Sequence, residues 1–294
     1  MRTRTPSVVF ASALGLVLLS TGPTAAKAQA TAAAQAAPAG PVTKVGDMTG
    51  NAERGKKHYR RYCAGCHGDL GNGLGENAQW IDPKPRDFTA AVFECRSTPT
   101  GTLPTDEDLY NSVSRGFVTT NMPPWFPLPK QTRLDAVAYI KTFSPRWVTQ
   151  GPGTPITVPP EPALTVESIL HGRELFQKME CWKCHGPAGH GDGPSASTLL
   201  DSKDNPIRPY NFSSSSRTKC GSTNEDLYRV FMTGLDGTPM PSFVDNLQPA
   251  EAWDLVHFLR TLQPDKSPES LAWQAWLPAH ANELKPIGPQ GAEQ

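Results

Sequence analysis

The chain has 294 residues, in which 28 Lys and Arg balance 28 Asp and Glu, with 30 Pro, 25 Gly and six Cys. That length fits two domains of ordinary size joined by loop-rich segments. A balanced charge excludes a broad basic field for nucleic acid.

In chain order, Arg2 and Arg4 precede an apolar run from Val8 to Leu19, and small residues end at Ala28-Gln29-Ala30. This is the pattern of a secretory signal peptide, so residues 1–30 are expected to be removed on export to the periplasm. The apolar run falls short of the roughly 20 residues that span a membrane, and no membrane span is expected in the mature chain. Residues 1–30 hold three basic residues and no acidic one, which leaves 25 basic against 28 acidic in the remainder. Cysteines in an oxidising compartment are usually paired, ligated or covalently occupied.

Residues 31–48, rich in Ala and Pro, read as a flexible leader. A Pro-rich linker over 148–163 separates two units, 49–147 and 164–264, and a tail over 265–294 carries Trp273 and Trp276 on a short helix after Ser267-Pro268. The two units match each other. Cys63-Ala64-Gly65-Cys66-His67-Gly68 answers Cys181-Trp182-Lys183-Cys184-His185-Gly186 at an offset of 118, and Glu107-Asp108-Leu109-Tyr110 and Met122-Pro123 recur at that same offset. Between these anchors the register slips: Pro85-Arg86-Asp87-Phe88 corresponds to Pro209-Tyr210-Asn211-Phe212 at 124.

Each unit reads as three helices without a convincing strand. The first helix runs from Asn51 or Thr165 into the cysteines, with a glycine four residues before an aromatic (Gly55 and Tyr59, Gly172 and Phe176). The middle helix is expected to start at Thr105 or Asn224 and to stop at Gly116 or Gly234. The last carries apolar residues at helical spacing, Leu134 to Phe143 and Trp253 to Leu262, each ending before a proline.

Cys-x-x-Cys-His is the attachment sequence of c-type haem: two thiols one helical turn apart each add to a vinyl group, and the adjacent His lies under the iron. A zinc site or redox dithiol is the competing reading, but the two pairs stand 115 positions apart, far from zinc-ribbon spacing. Cys63, Cys66, His67 and Cys181, Cys184, His185 are therefore expected to bind two covalent haems c. Met122 and Met240 each lie 55 residues after their own His and precede a Pro. A lone Met is usually core filler, but the equal spacing points to them as sixth iron ligands, which raises the potential and leaves no open position for a substrate.

Each unit resembles a class I cytochrome c domain, through the Gly-x-x-x-aromatic helix, Cys-x-x-Cys-His-Gly, the glycine-rich loops Gly71-Asn72-Gly73 and Gly189–Gly193, Met-Pro and the last amphipathic helix. The stretches Phe93–Pro99, Leu103–Leu109 and Gly234–Phe243 are similar to dihaem cytochromes c found beside periplasmic molybdenum dehydrogenases of the ethylbenzene dehydrogenase type. The resemblance implies an all-α tandem repeat of two such domains, one exposed haem edge in each, and single-electron exchange with redox partner proteins: a dehydrogenase, another cytochrome, or a terminal oxidase or reductase. The alternative is a dihaem enzyme of the peroxidase or thiosulfate dehydrogenase type. Cys95 and Cys220 remain, with two separate thiols favoured over a disulfide between the units; as in the dihaem thiosulfate dehydrogenases, a Cys in place of Met on the iron is a third option. His58, His171, His190, His257 and His280 have no His at the matching position of the other unit and read as structural or surface residues.

Overall fold

The computed structural model describes residues 41–289 apart from 216 and 265; the expected signal peptide and residues 31–40 of the leader lie outside them. The architecture is all-α, two cytochrome c domains in tandem. The first half contains α1 (Ala52–Tyr62), α2 (Ala64–His67), α3 (Asp106–Arg115), α4 (Lys130–Lys141) and α5 (Arg146–Thr149). The second contains α6 (Val166–Lys178), α7 (Trp182–His185), α8 (Asn224–Thr233) and α9 (Pro249–Thr261), followed by α10 (Pro268–His280).

In each half the first and last long helices cross, α1 on α4 and α6 on α9, and the crossing explains the Gly-x-x-x-aromatic pattern. A Cβ on Gly55 would overlap the Asp135 carbonyl, and one on Gly172 would overlap the Asp254 carbonyl, so only glycine lets the backbones approach this closely. One turn later Tyr59 and Phe176 are buried against the partner helix, and the Tyr59 hydroxyl donates to the Gly68 carbonyl at 2.7 Å. Asp135 binds the start of α1 twice, accepting from the Asn51 N–H at 2.8 Å and from the Arg54 guanidinium at 2.7 Å.

The middle helices start with matching capping boxes, Thr105 with Asp108 and Thr223 with Asp226, and end at Gly116 and Gly234 with φ of 62° and 66°. Here the second expected cap is corrected from Asn224 to Thr223. Thr223 Oγ1 accepts the Asp226 N–H at 3.1 Å, whereas Asn224 is the first helical residue. The Asn224 amide is committed elsewhere, donating to Glu269 at 2.9 Å and accepting from Arg260 at 2.6 Å.

Strand is present where none was expected. Lys44–Val45 (β1) pairs antiparallel with Met48–Thr49 (β2), across the boundary at 48/49 between the segment read as leader and the first unit. Two-residue strands carry too little alternation to show in sequence, and this hairpin is held from outside. The buried Lys141 ammonium bonds the Val42 carbonyl at 2.8 Å and Asp106 at 2.6 Å, while Asp106 also accepts from the Lys44 N–H at 2.8 Å.

The two halves form one compact unit. Cys95 and Cys220 are joined in a disulfide with Cα atoms 5.1 Å apart, which corrects the expectation of separate thiols. Next to it the fully buried Arg96 guanidinium crosses from the first half to the Thr233 carbonyl and to Asp236 at 2.7 Å, and Asp236 also accepts from the Thr100 hydroxyl and the Gly101 N–H. Lys203 pairs with Asp87, and Glu94 receives both Arg86 and Lys219. The linker adds to this interface. Gly153 and Ile156 donate backbone hydrogen bonds to Leu103 and Ser97 of the first half at 2.9 and 2.8 Å, while the Ile156 and Val158 side chains pack on the core of the second.

Candidate haem sites

Both attachment turns are built alike. The chain leaves the first helix at Cys63 or Cys181, and the His N–H closes the turn onto that Cys carbonyl at 2.9 Å in each half. The turn ends at Gly68 or Gly186, with φ of 77° and 78°, which redirects the chain into a glycine-rich loop wrapped back over it. Gly75 N–H donates to Cys66 and Gly193 N–H to Cys184, both at 3.1 Å. One turn of helix thus sets two sulfurs and an imidazole on one wall.

The imidazoles are oriented by the two runs that slipped in register. His67 Nδ1 donates to the Arg86 carbonyl at 2.9 Å and His185 Nδ1 to the Tyr210 carbonyl at 3.1 Å. In each case this fixes the tautomer and leaves the Nε2 lone pair free. Phe88 stacks on His67 at 4.5 Å between ring centroids, and Phe212 lies 5.1 Å from His185. Burial lowers the pKa of both imidazoles, keeping them neutral, the state a metal ligand needs. Burial also pushes the Cys63 and Cys181 thiols up to about 12.

The two methionines are presented by loops of one design. After Gly116, Phe117 N–H donates to the Met122 carbonyl at 3.0 Å and the Thr120 hydroxyl accepts the Met122 N–H at 3.0 Å. After Gly234, Leu235 N–H donates to the Met240 carbonyl at 3.1 Å and the Thr238 hydroxyl accepts the Met240 N–H at 3.2 Å. The cap glycines make room for this return. A Cβ on Gly116 would lie 2.6 Å from the Met122 carbonyl oxygen, and one on Gly234 would lie 2.6 Å from the Ser242 nitrogen.

His67, Met122, His185 and Met240, together with all four motif cysteines, line one continuous cavity of about 1740 Å³. Single ligand pockets run to roughly 300–1,000 Å³, so the space suits two large planar groups. Its walls are largely apolar, with Phe88, Phe93, Val113 and Ile140 in one half and Phe231, Leu255 and Leu259 in the other. The disulfide takes Cys95 and Cys220, which leaves the four motif cysteines for covalent attachment. Among the described residues no three His, Cys, Asp or Glu side chains gather into a cage for a bare metal ion. The donor set is instead, for each half, two tethering thiols, one oriented imidazole and one thioether, which fits haem c and sets aside the zinc reading.

All eight site residues read from the sequence are brought together by the structure. Sequence reasoning missed the Arg86 and Tyr210 carbonyls and the Phe88 and Phe212 rings. Their signal was the recurrence of Pro-x-x-Phe in both halves despite the slipped register.

Fold and site together define an electron-transfer protein of the c-type cytochrome class. Residues 169–263 match the family Cytochrome c, and residues 50–140 match the family Cytochrome C oxidase, cbb3-type, subunit III. A solved chain of the Kuenenia stuttgartiensis reducing HAO-like protein complex is 42% identical, over 72% of this chain and 97% of its own, with a TM-score of 0.71. No curated protein matches. The chain belongs to the dihaem cytochromes c.

Proposed function

We propose that the chain is an exported, periplasmic carrier of single electrons between redox partner proteins, with one haem c held covalently in each half. Bound haem c supplies a one-electron couple at each iron. The protein's own residues do the rest. Cys63 with Cys66, and Cys181 with Cys184, tether the two groups. His67 and His185, aimed by the carbonyls of Arg86 and Tyr210, would hold the irons together with Met122 and Met240. The thioether ligands favour the reduced state and raise the potential.

The observation that carries this reading is the equality of the two halves, whose His and Met are set on the walls of one cavity by the same hydrogen bonds. Enzymes of the dihaem peroxidase or thiosulfate dehydrogenase type need one iron with an open position or a different ligand. Engagement of Cys95 and Cys220 with each other removes the only spare thiols that could supply such a ligand. The membership of the Kuenenia chain in a protein complex supports partners that are themselves proteins. Among the described residues no helix is long and apolar enough to cross a membrane, and export rests on the N-terminal pattern.

Absorption spectra of the reduced protein with and without carbon monoxide test the proposal. The wild type is expected to bind little carbon monoxide, while Met122→Ala and Met240→Ala each open one iron to it with the haem still attached. Strong binding by the wild type at neutral pH would favour the enzyme reading.

A further inference from the structure

The two halves share one scaffold but differ in what they show to solvent. On α1 the residues Lys56, Lys57, Arg60 and Arg61 are all exposed. Arg60 lies 4.0 Å from Asp69, and no carboxylate among the described residues pairs with the other three. The helix carries a single acidic residue, Glu53. In the second half the matching helix α6 is neutral, two acids (Glu167 and Glu174) against Arg173 and Lys178. Its matching face is also covered by the chain's own C-terminal segment: Arg173 donates to the Lys285 carbonyl, and Gln177 exchanges two 2.8 Å hydrogen bonds with the backbone of Gly288. With Gly55 and Gly172 superimposed, Arg173 and Gln177 stand where Lys56 and Arg60 stand in the first half. The face that the tail occupies in one half is bare and cationic in the other.

A second difference points to the same place. The loop wrapped over the first attachment turn exposes Leu70, Leu74 and Trp80, at 72%, 77% and 75%. At the common offset of 118 the second half has Ala188, Asp192 and Thr198 on a backbone with the same hydrogen bonds. The fold therefore does not require apolar residues at these positions. The Arg60–Asp69 contact sets Leu70 beside the cationic face, while the Arg61 guanidinium lies over the Tyr62 ring and Tyr62 meets Trp125 in a tilted contact at 5.4 Å between ring centroids, both rings lining the haem cavity. Apolar residues rimmed by like charges next to a redox site have the form of a small, transient docking surface.

We infer that this face of the first half, α1 with the Leu70–Leu74 loop, docks a partner protein with an acidic surface, so that electrons from that partner enter or leave through the first haem. The inference rests on the carrier reading above. The charge complementarity selects an acidic redox protein: the described part of the chain has no second bare basic helix face of this kind, and opposite charge steers encounter.

Stopped-flow reduction of the oxidised dihaem protein tests it, with reduced plant-type ferredoxin as the acidic protein probe and hexaammineruthenium(II) as the small cationic probe. The ferredoxin rate is expected to fall about tenfold or more between low and high ionic strength. The triple variant Lys56→Glu, Lys57→Glu, Arg61→Glu should lose a similar factor at low salt without slowing the ruthenium probe. Leu70→Ser with Leu74→Ser should slow ferredoxin at high salt, where charge is screened. Lys178→Glu in the second half should change nothing. If the triple variant misfolds by circular dichroism, the Gln triple replaces it. A triple variant as fast as the wild type, or equal slowing by Lys178→Glu, overturns the inference while leaving the carrier reading intact. Failure of both probes to reduce the wild type overturns the carrier reading itself.

Discussion

Replacing Arg96 by Met removes the side chain that stitches the halves together. The guanidinium is fully buried and donates to the Thr233 carbonyl and to Asp236 across the interface. Removing one partner of a buried ion pair typically costs about 3–5 kcal/mol, because the other charge is left behind. Asp236 would keep the Thr100 hydroxyl and the Gly101 N–H, which places its share at the low end. The orphaned Thr233 carbonyl adds about 1 kcal/mol. A loss of about 3–4 kcal/mol is therefore expected for Arg96→Met, read from guanidinium unfolding of the haem-loaded protein without reductant. Asp236→Leu should cost a comparable amount, and the double variant should cost less than the sum by about 1–3 kcal/mol. A change below about 1 kcal/mol in Arg96→Met, or a cycle with no coupling, would refute the assignment of the interface to this pair.

Three further outcomes follow from the geometry. Gly55→Ala and Gly172→Ala should each destabilise by about 3 kcal/mol, the upper end for overpacking, because each Cβ meets a backbone carbonyl that cannot rotate away; thermal unfolding of each variant measures this. Desolvation raises the Asp135 carboxyl pKa, but hydrogen bonds from Arg54, Gln131 and the Asn51 N–H outweigh it and hold the group below its ordinary value. Its contribution to stability is thus complete above the unfolded value of about 4 and is lost as pH falls through the lower folded value; Asp135→Asn should flatten the acid side of a stability–pH curve, and an unchanged slope would contradict the account. Cys63→Ala with Cys66→Ala should leave one covalent haem per chain, and a pyridine haemochrome assay still giving two would refute the first attachment site.

Much of this site was legible because haem attachment is written in contiguous residues. Cys63 to His67 and Cys181 to His185 stand out by their spacing, and Met122 and Met240 by equal distance from their own His, and the structure sets all of them on one cavity. Helix ends at Gly116 and Gly234 were also readable, since a left-handed residue after a periodic run has few occupants. Other features were hidden for identifiable reasons. The Arg86 and Tyr210 groups that aim the imidazoles are backbone carbonyls, which every residue carries. Thr223 and Asn224 are both good caps side by side; the offset of 118 that sets Thr223 opposite Thr105 was the signal that separates them, and the Asn224 amide goes instead to Glu269 and Arg260. Cys95 and Cys220 do not occupy equivalent positions, so the repeat could not pair them, and the interface of Arg96 with Asp236 joins residues 140 positions apart.

The central claim of the proposed function is that the two halves, one compact unit, hold two six-coordinate haems within a shared cavity. Electron paramagnetic resonance of the fully oxidised protein, with iron and covalent haem counted on the same sample, tests it most directly. The account predicts two haems and two irons per chain, both low-spin, with each signal altered when the other haem is removed through its cysteines. One haem per chain, a high-spin five-coordinate iron, or a spectrum equal to the sum of the two single-haem variants would contradict it.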